Sequence, residues 1–194
     1  PVFIRRRDAY GGTLQNRARL LLDVYQKVRA TVGPRYPVMA KLNCRDFLEG
    51  GLKVEDAVAA AAMLEEAGLD AVEVSGGTGA SGKLRPVRTG IDSPEREAYF
   101  KDDARHFRKS LHLPLMLVGG IRSFSVAEDI IHAGIADYIS LCRPLICEPA
   151  LIERWQAGDR HPSRCRSDNK CFVPIRKGQG VYCVVEEKAA RRKD

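Results

Sequence analysis

The sequence predicts an α/β protein in which a parallel sheet is covered by helices. Three observations carry that prediction. Short apolar strands alternate with helical segments along most of the chain. The strands read as near-continuous apolar runs, as buried parallel strands do. Each polar feature of interest falls at the C-terminal end of a strand, where parallel α/β folds bind ligands. The chain has 194 residues, 44% of them hydrophobic and 29% charged. That composition is ordinary for a globular domain and excludes a disordered chain, a collagen and a disulfide-held mini-protein.

The elements follow in order. A helix is expected from about Thr13 to Gly33, with Leu14, Leu21, Val24 and Val28 on one face. Residues 37–43, PVMAKLN, form the first strand. Val54 to Ala67 is a helix closed by Gly68. Residues 70–75, DAVEVS, form the second strand. Ser93-Pro94-Glu95 carries a capping hydroxyl, a proline for the first turn and an acid for the positive dipole end, so a helix is expected to run from there to about Ser110. Residues 114–118, PLMLV, are a third strand. Ser125 and Glu128 fit a capping box for a helix ending at Gly134. Residues 137–141, DYISL, are the fourth strand, and Pro149 to Ala157 the last helix. The expected division is a strand–helix unit over 1–158 and a Gly/Pro/Cys-rich tail over 159–194. An open doubly wound sheet and a (β/α)₈ barrel both suit the pattern. Four strands are half a barrel, which would leave two edges and one exposed apolar face.

No uncharged apolar run approaches the roughly 18–20 residues of a membrane helix. Val2-Phe3-Ile4 is too short for a secretory apolar region and runs into Arg5-Arg6-Arg7. A cytoplasmic protein without a membrane segment is expected. The first residue is Pro, so a trimmed or partial chain is expected. The formal charge is +7. Arg5, Arg6, Arg7, Lys188, Arg191, Arg192 and Lys193 account for it at the two ends, which leaves the interior nearly neutral. No aromatic interleaving or recognition-helix pattern accompanies these ends, so no nucleic-acid partner is expected. The six cysteines are Cys44, Cys142, Cys147, Cys165, Cys171 and Cys183; without a secretory signal, they are expected to be reduced.

The strand ends carry the chemistry. Lys41 and Asn43 end the first, Ser75-Gly76-Gly77 the second, Gly119-Gly120-Ile121-Arg122 the third and Cys142-Arg143 the fourth. Gly119 and Gly120 let backbone N–H groups approach an anion, and the following helix offers its N-terminal dipole. Arg122 and Arg143 can add charge-assisted hydrogen bonds. The alternative is that the glycines make tight turns and the arginines pair with acids. Lys41 is a lone cation in an apolar strand. It either pairs with Glu73 on the next strand or faces an electron-rich cofactor. His106, His112, His132 and His161 read as surface or capping residues, and no Ser-His-Asp set exists.

These motifs together resemble the old yellow enzyme family of NADH:flavin oxidoreductases. Arg7-Asp8-Ala9-Tyr10-Gly11-Gly12-Thr13, with Gln15-Asn16-Arg17, is similar to that family's R-x-D-x-Y-G-G-S-x-E-N-R stretch. Val38 to Asn43, Glu73 to Gly77, Val118 to Arg122 and Asp137 to Pro149 resemble its fifth to eighth barrel strands in order. The resemblance implies the C-terminal half of a TIM (β/α)₈ barrel that binds FMN. Lys41 then corresponds to the cation beside N1/O2 of the flavin, and Gly119, Gly120, Arg122, Cys142 and Arg143 to the phosphate clamp.

The implied reaction is hydride transfer from NAD(P)H through FMN to an electron-poor C=C acceptor, a small molecule. The residues that hold the acceptor and donate its proton belong to the family's first half-barrel, so no catalytic residue is assigned here. Tyr99 either lines the substrate mouth or packs on a helix face. Cys142-Arg143 stands where the family often has Gly-Arg. The tail Cys165-Arg-Ser-Asp168-Asn169-Lys-Cys171, with Cys183, is similar to a "C-x-x-C-N-x-C…C" tail that ligates a [4Fe–4S] cluster in related dienoyl-CoA reductases. Asp168 replaces its second cysteine, and three thiolates fall short of the four that clusters use, so no iron–sulfur cluster is expected. Two other readings stand: a catalytically silent piece that dimerises through its open edges or requires the missing half, and an open-sheet protein that binds another phosphate ligand.

Overall fold

The computed structural model describes residue 2 and residues 5–191. Phe3 and Ile4 of the short apolar start, and Arg192 and Lys193 of the basic C-terminal end, therefore lie outside the described residues. Four strands make one parallel sheet: β1 (Met39–Asn43), β2 (Ala71–Ser75), β3 (Leu115–Leu117) and β4 (Tyr138–Ile139), in the spatial order β1-β2-β3-β4. Helices α1 (Leu14–Val32), α2 (Val54–Glu66), α3 (Lys101–Ser110) and α4 (Phe124–His132) alternate with the strands. Four short helices follow: α5 (Arg143–Cys147), α6 (Leu151–Gln156), α7 (Phe172–Arg176) and α8 (Val184–Ala190).

The strand order decides between the two architectures. Sheet order equals chain order, with no reversal. Right-handed crossovers taken always in one direction put every crossover helix on the same side. A doubly wound sheet needs a reversal to cover both sides. This is the singly wound arrangement of a barrel wall.

Strand pleating then sorts the side chains. Val72, Val74, Leu115 and Leu117 are fully buried beneath Ala61, Leu64, Ala104 and Phe107 of α2 and α3. Each such side chain contributes about 1.5–3 kcal/mol on burial. The alternate residues Lys41, Glu73, Met116 and Tyr138 lie in one row across all four strands and point the other way. Met39 and Tyr138 on that face are 59% exposed.

Four expectations need correcting. In α1 the buried positions are Ala18 and Tyr25, with Leu21 and Leu22 half-buried, whereas Val24 and Val28 are exposed along with Leu20. The Tyr25 ring takes the core-facing position and turns the valines outward. The helix expected from Ser93 to Ser110 is broken: Pro94–Arg96 is a single 3₁₀ turn, and α3 begins only at Lys101. Between them Glu97 turns into the interior and Ala98 takes a φ of 48°. The Ser125–Glu128 capping box does not form. α4 starts earlier, with Ser123 at its cap, and the Ser123 hydroxyl donates to Glu97 instead. Finally, α5 and the two short tail helices α7 and α8 had no periodicity to announce them, being five to seven residues long.

Candidate functional site

The loops after β3 and β4 close around one cavity. Gly120 and Arg122 line it from the first loop, and Ser140, Cys142 and Arg143 from the second. Tyr99 forms part of the wall. Its hydroxyl donates to the Pro86 carbonyl (2.8 Å), and its ring sits edge-on to Phe100, 4.7 Å between centroids. A Cβ at Gly120 would lie 2.6 Å from the Tyr99 ring, and Gly120 has a φ of 74°. Glycine is required there by space and by backbone conformation. Tyr99 lies in no helix, so the helix-face reading does not hold: it precedes α3, packs on the Gly-Gly loop and lines the cavity.

Arg122 and Arg143 are the cations of this cavity. Arg122 donates from Nη1 to the Ile91 carbonyl (2.8 Å) and from Nη2 to the Ser163 carbonyl (3.0 Å). Its Nε is buried with no partner. Arg143, 7% exposed, donates from Nη1 to the Arg88 carbonyl and to Asn169 Oδ1, both at 2.8 Å. Among the described residues neither guanidinium forms an ion pair with a carboxylate. The pairing of these arginines with acids is therefore not what the structure shows. Carbonyls orient both guanidinium groups and leave them without a paired carboxylate, an arrangement that can accept an anion.

The expected role of the α4 N-terminus needs revision. The carboxylate of Glu97, 2% exposed, accepts from the backbone N–H of Arg122 (2.8 Å) and Ser123 (2.9 Å) and from the Ser123 hydroxyl (2.6 Å). The protein supplies its own anion at that helix end. The backbone N–H groups of Gly120, Ile121 and Cys142 have no acceptor among the described residues, so the donors left for a ligand lie in the loops themselves. Glu97 was not singled out from sequence, because S-P-E-R-E reads as an exposed first turn. The apolar trio Ala98-Tyr99-Phe100 directly after it was the available signal.

Lys41 lies on the opposite edge strand and does not line this cavity. Its Nζ pairs with Glu73 across the β1–β2 register. It is not buried: its side chain is 54% exposed on the uncovered face of the sheet. Asn43 Nδ2 donates to the Gly77 carbonyl (2.9 Å), tying the first two strand ends together. From β1 to β4 is three strand spacings, about 14 Å.

The chain matches the NADH:flavin oxidoreductase / NADH oxidase family over residues 1–161. It belongs to that family. It is 30% identical to an NADH oxidase of Thermoanaerobacter brockii over 206 residues, covering 97% of this chain and 31% of that protein. Among solved structures, a 2-naphthoyl-CoA reductase in complex with 2-naphthoyl-CoA superposes with a TM-score of 0.81 at 27% identity, covering 93% of this chain and 27% of the other. The old yellow enzyme homologue from Zymomonas mobilis superposes with a TM-score of 0.58 at 26% identity, covering 84% and 43%. The chain thus spans less than half the length of each of these relatives, and its four strands fall on part of their barrels.

The remaining family-like residues have structural work in this chain. Thr13 Oγ1 caps α1 by accepting from the Asn16 N–H (3.3 Å), and Asn16 Nδ2 donates back to the Gly11 carbonyl (3.0 Å). Arg17 reaches Asp56 on α2 (2.8 Å). Arg6 holds the Asp8 carboxyl down to about 2 by a side-chain hydrogen bond. The tail returns to the cavity: Ser163 N–H donates to the Arg122 carbonyl (2.8 Å), and Asn169 Nδ2 to the Val87 carbonyl (3.0 Å). His106 bonds to the Asp102 carbonyl and the exposed His161 to Asp159; neither lines the cavity. All six cysteines are free thiols. Among the described residues no group of three or more His, Cys, Asp or Glu is arranged to hold a metal ion, and no helix is long and apolar enough to cross a membrane.

Proposed function

We propose that this chain supplies the phosphate-clamping and ring-charge half of an FMN-dependent NAD(P)H oxidoreductase. The observation that carries this reading is the pair of guanidinium groups, Arg122 and Arg143, at one cavity without an acidic partner. A terminal phosphate supplies the missing negative charge, and bidentate Arg–phosphate bonds suit its geometry. Gly119 and Gly120 keep the loop open, and the N–H groups of Gly120 and Cys142 are free to donate. Cys142 needs only its backbone for this.

When bound, FMN supplies hydride transfer from NAD(P)H to an acceptor, which we take to be an electron-poor C=C. The ammonium of Lys41, held by Glu73 on the uncovered face, is placed to stabilise negative charge on an electron-rich ring lying along the sheet. No histidine or carboxylic acid lines the cavity; we place the proton-donating and acceptor-holding residues outside this chain. Residues 1–158 are the half-barrel and 159–194 a tail that braces the clamp through Ser163 and Asn169. Free thiols throughout fit a reducing cytoplasm.

The test is titration of the 194-residue chain with FMN, followed by quenching of flavin fluorescence. Saturable binding that falls at least about tenfold in Arg143→Ala, with riboflavin failing to compete, is the expected result. FMN binding unchanged by Arg143→Ala and Arg122→Ala, or equal competition by riboflavin, overturns the phosphate clamp. No FMN binding by the folded chain would sink the reading that this half holds the cofactor by itself.

A further inference from the structure

A second cleft opens beside the clamp. Its volume is about 470 Å³, and Lys83, Arg88, Arg96 and Lys101 line it together with Glu95, Glu97 and Asp102. These residues belong to the connection from the C-terminal end of β2 to the first turn of α3, the end of the sheet at which parallel α/β folds bind ligands. Tyr99 lines both spaces, whereas Arg88 lines only this one of the two. The Arg88 guanidinium rests on aromatic rings, with its Cζ 4.3 Å from the Tyr99 centroid and 5.3 Å from those of Phe47 and Phe100. Its Nε is buried without a hydrogen-bond partner.

The charges of this cleft do not balance. Arg96 pairs with Asp92 (3.1 Å), and Asp102 pairs with Arg105. The buried Glu97 carboxylate is taken up by the donors of Arg122 and Ser123. Asp103, whose charge reaches Arg88, pairs with Arg45. Among the described residues Lys83, Arg88 and Lys101 form no ion pair. Against these three cations stands one carboxylate without an ion pair, the exposed Glu95.

We propose that this cleft is a second anion subsite, which binds a phosphoryl group carried by the nicotinamide dinucleotide or by a phosphorylated acceptor. Three cations against one carboxylate suit a phosphate monoester, with about two negative charges, better than a singly charged carboxylate. The guanidinium of Arg88 offers parallel N–H donors to two phosphate oxygens, and the two ammonium groups add charge. Contact with three rings holds the guanidinium in place before the anion arrives. The subsite needs neither bound flavin nor the guanidinium groups of Arg122 and Arg143.

The experiment titrates the isotope-labelled 194-residue chain with inorganic phosphate at constant ionic strength, and follows the N–H signals of Arg88 Nε, Lys101 and Asp102 by NMR. The expected result is a saturable shift of these signals that acetate does not produce. Arg88→Met, read at Lys101 and Asp102, is expected to raise the midpoint at least about tenfold. Lys83→Ala and Lys101→Ala, read at Asp102, are expected to raise it about twofold to fivefold each. No flavin is present, so failure of FMN to bind leaves this result standing. NADP⁺ that binds about tenfold more tightly than NAD⁺, with the preference lost in Arg88→Met, assigns the phosphoryl group to the dinucleotide. Equal binding of the two beside saturable phosphate assigns it to the acceptor. No saturable shift at these N–H groups, an equal shift with acetate, or a midpoint unchanged in both Arg88→Met and Lys101→Ala overturns the proposal.

Discussion

The two faces of one sheet behave as if they belonged to different proteins. On the helix-covered face, the row Leu42, Val74, Leu117 and Ile139 packs into a continuous core with Leu64 and Phe107. On the other face, the row Lys41, Glu73, Met116 and Tyr138 holds an ion pair, a thioether and a phenol, and its edge positions stand open. The difference teaches where stability and chemistry reside. Apolar contact with α2 and α3 holds the strands in register. The open face has no such duty, so it can carry charge. Among the described residues no helix packs over this row, and Lys41 and Tyr138 at its two ends stand exposed.

The sharpest way to break this comparison is a pair of truncations one residue apart. Leu117→Ala removes a fully buried side chain on the covered face and is expected to cost about 2–5 kcal/mol in urea unfolding. Met116→Ala, its neighbour on the open face, is expected to cost under about 1 kcal/mol. Equal losses would mean that the second face is as tightly packed as the first.

Glu97 tests the boundary between the faces, at the loop that follows β3. Glu97→Gln replaces an acceptor of three hydrogen bonds by a group with one carbonyl oxygen. A loss of about 1.5–3 kcal/mol is expected, together with weaker FMN binding through a loosened Arg122 loop. Stability unchanged within error would show that the loop holds itself.

Acid sharpens the comparison further out, at the tail. Burial alone would raise the Glu148 carboxyl, but the Arg164 N–H, the Ser163 hydroxyl and the Arg164 and Arg154 guanidinium groups outweigh it and leave Glu148 below its ordinary 4.5. A carboxyl depressed in the folded state stabilises fully above its unfolded value, and that contribution is lost as pH falls through the folded value. Glu148→Gln is therefore expected to flatten the acid limb of a melting-temperature profile below about pH 4.5, and to leave its shape near neutrality. An unchanged acid limb would remove Glu148 from the account.

The smallest effect is expected at Lys41. An ion pair this exposed is worth about 0–1 kcal/mol, so Lys41→Ala should barely move the urea midpoint. A large loss would make Lys41 a structural residue and weaken its placement beside a flavin ring.

Much of this was legible in the sequence because the strands are short, apolar and punctuated. Residues 70–75 and 114–118 could hardly be read otherwise, and the Gly119-Gly120 turn marked its own strand end. The helix from Ser93 was misread for a definite reason. Its local signals are good, but Glu97 finds three donors on a loop about 25 residues further on, and that long-range gain outweighs local helix propensity. The face of α1 was misread because the apolar period admitted two rotations, and only the bulk of Tyr25 against the core selects one.

The sequence by itself determined the alternation of strand and helix, the parallel sheet and the concentration of polar residues at its C-terminal edge. These are local matters of hydrophobic period, turn glycines and caps, and they are written within windows of a few residues. Only the tertiary structure decided that all crossover helices share one side, that Arg122 and Arg143 share a cavity without an acid, and that Cys147 and Cys183 line one cavity. Each depends on residues far apart in the chain arriving at one place, and no local pattern records which partner a charge or a thiol will find there.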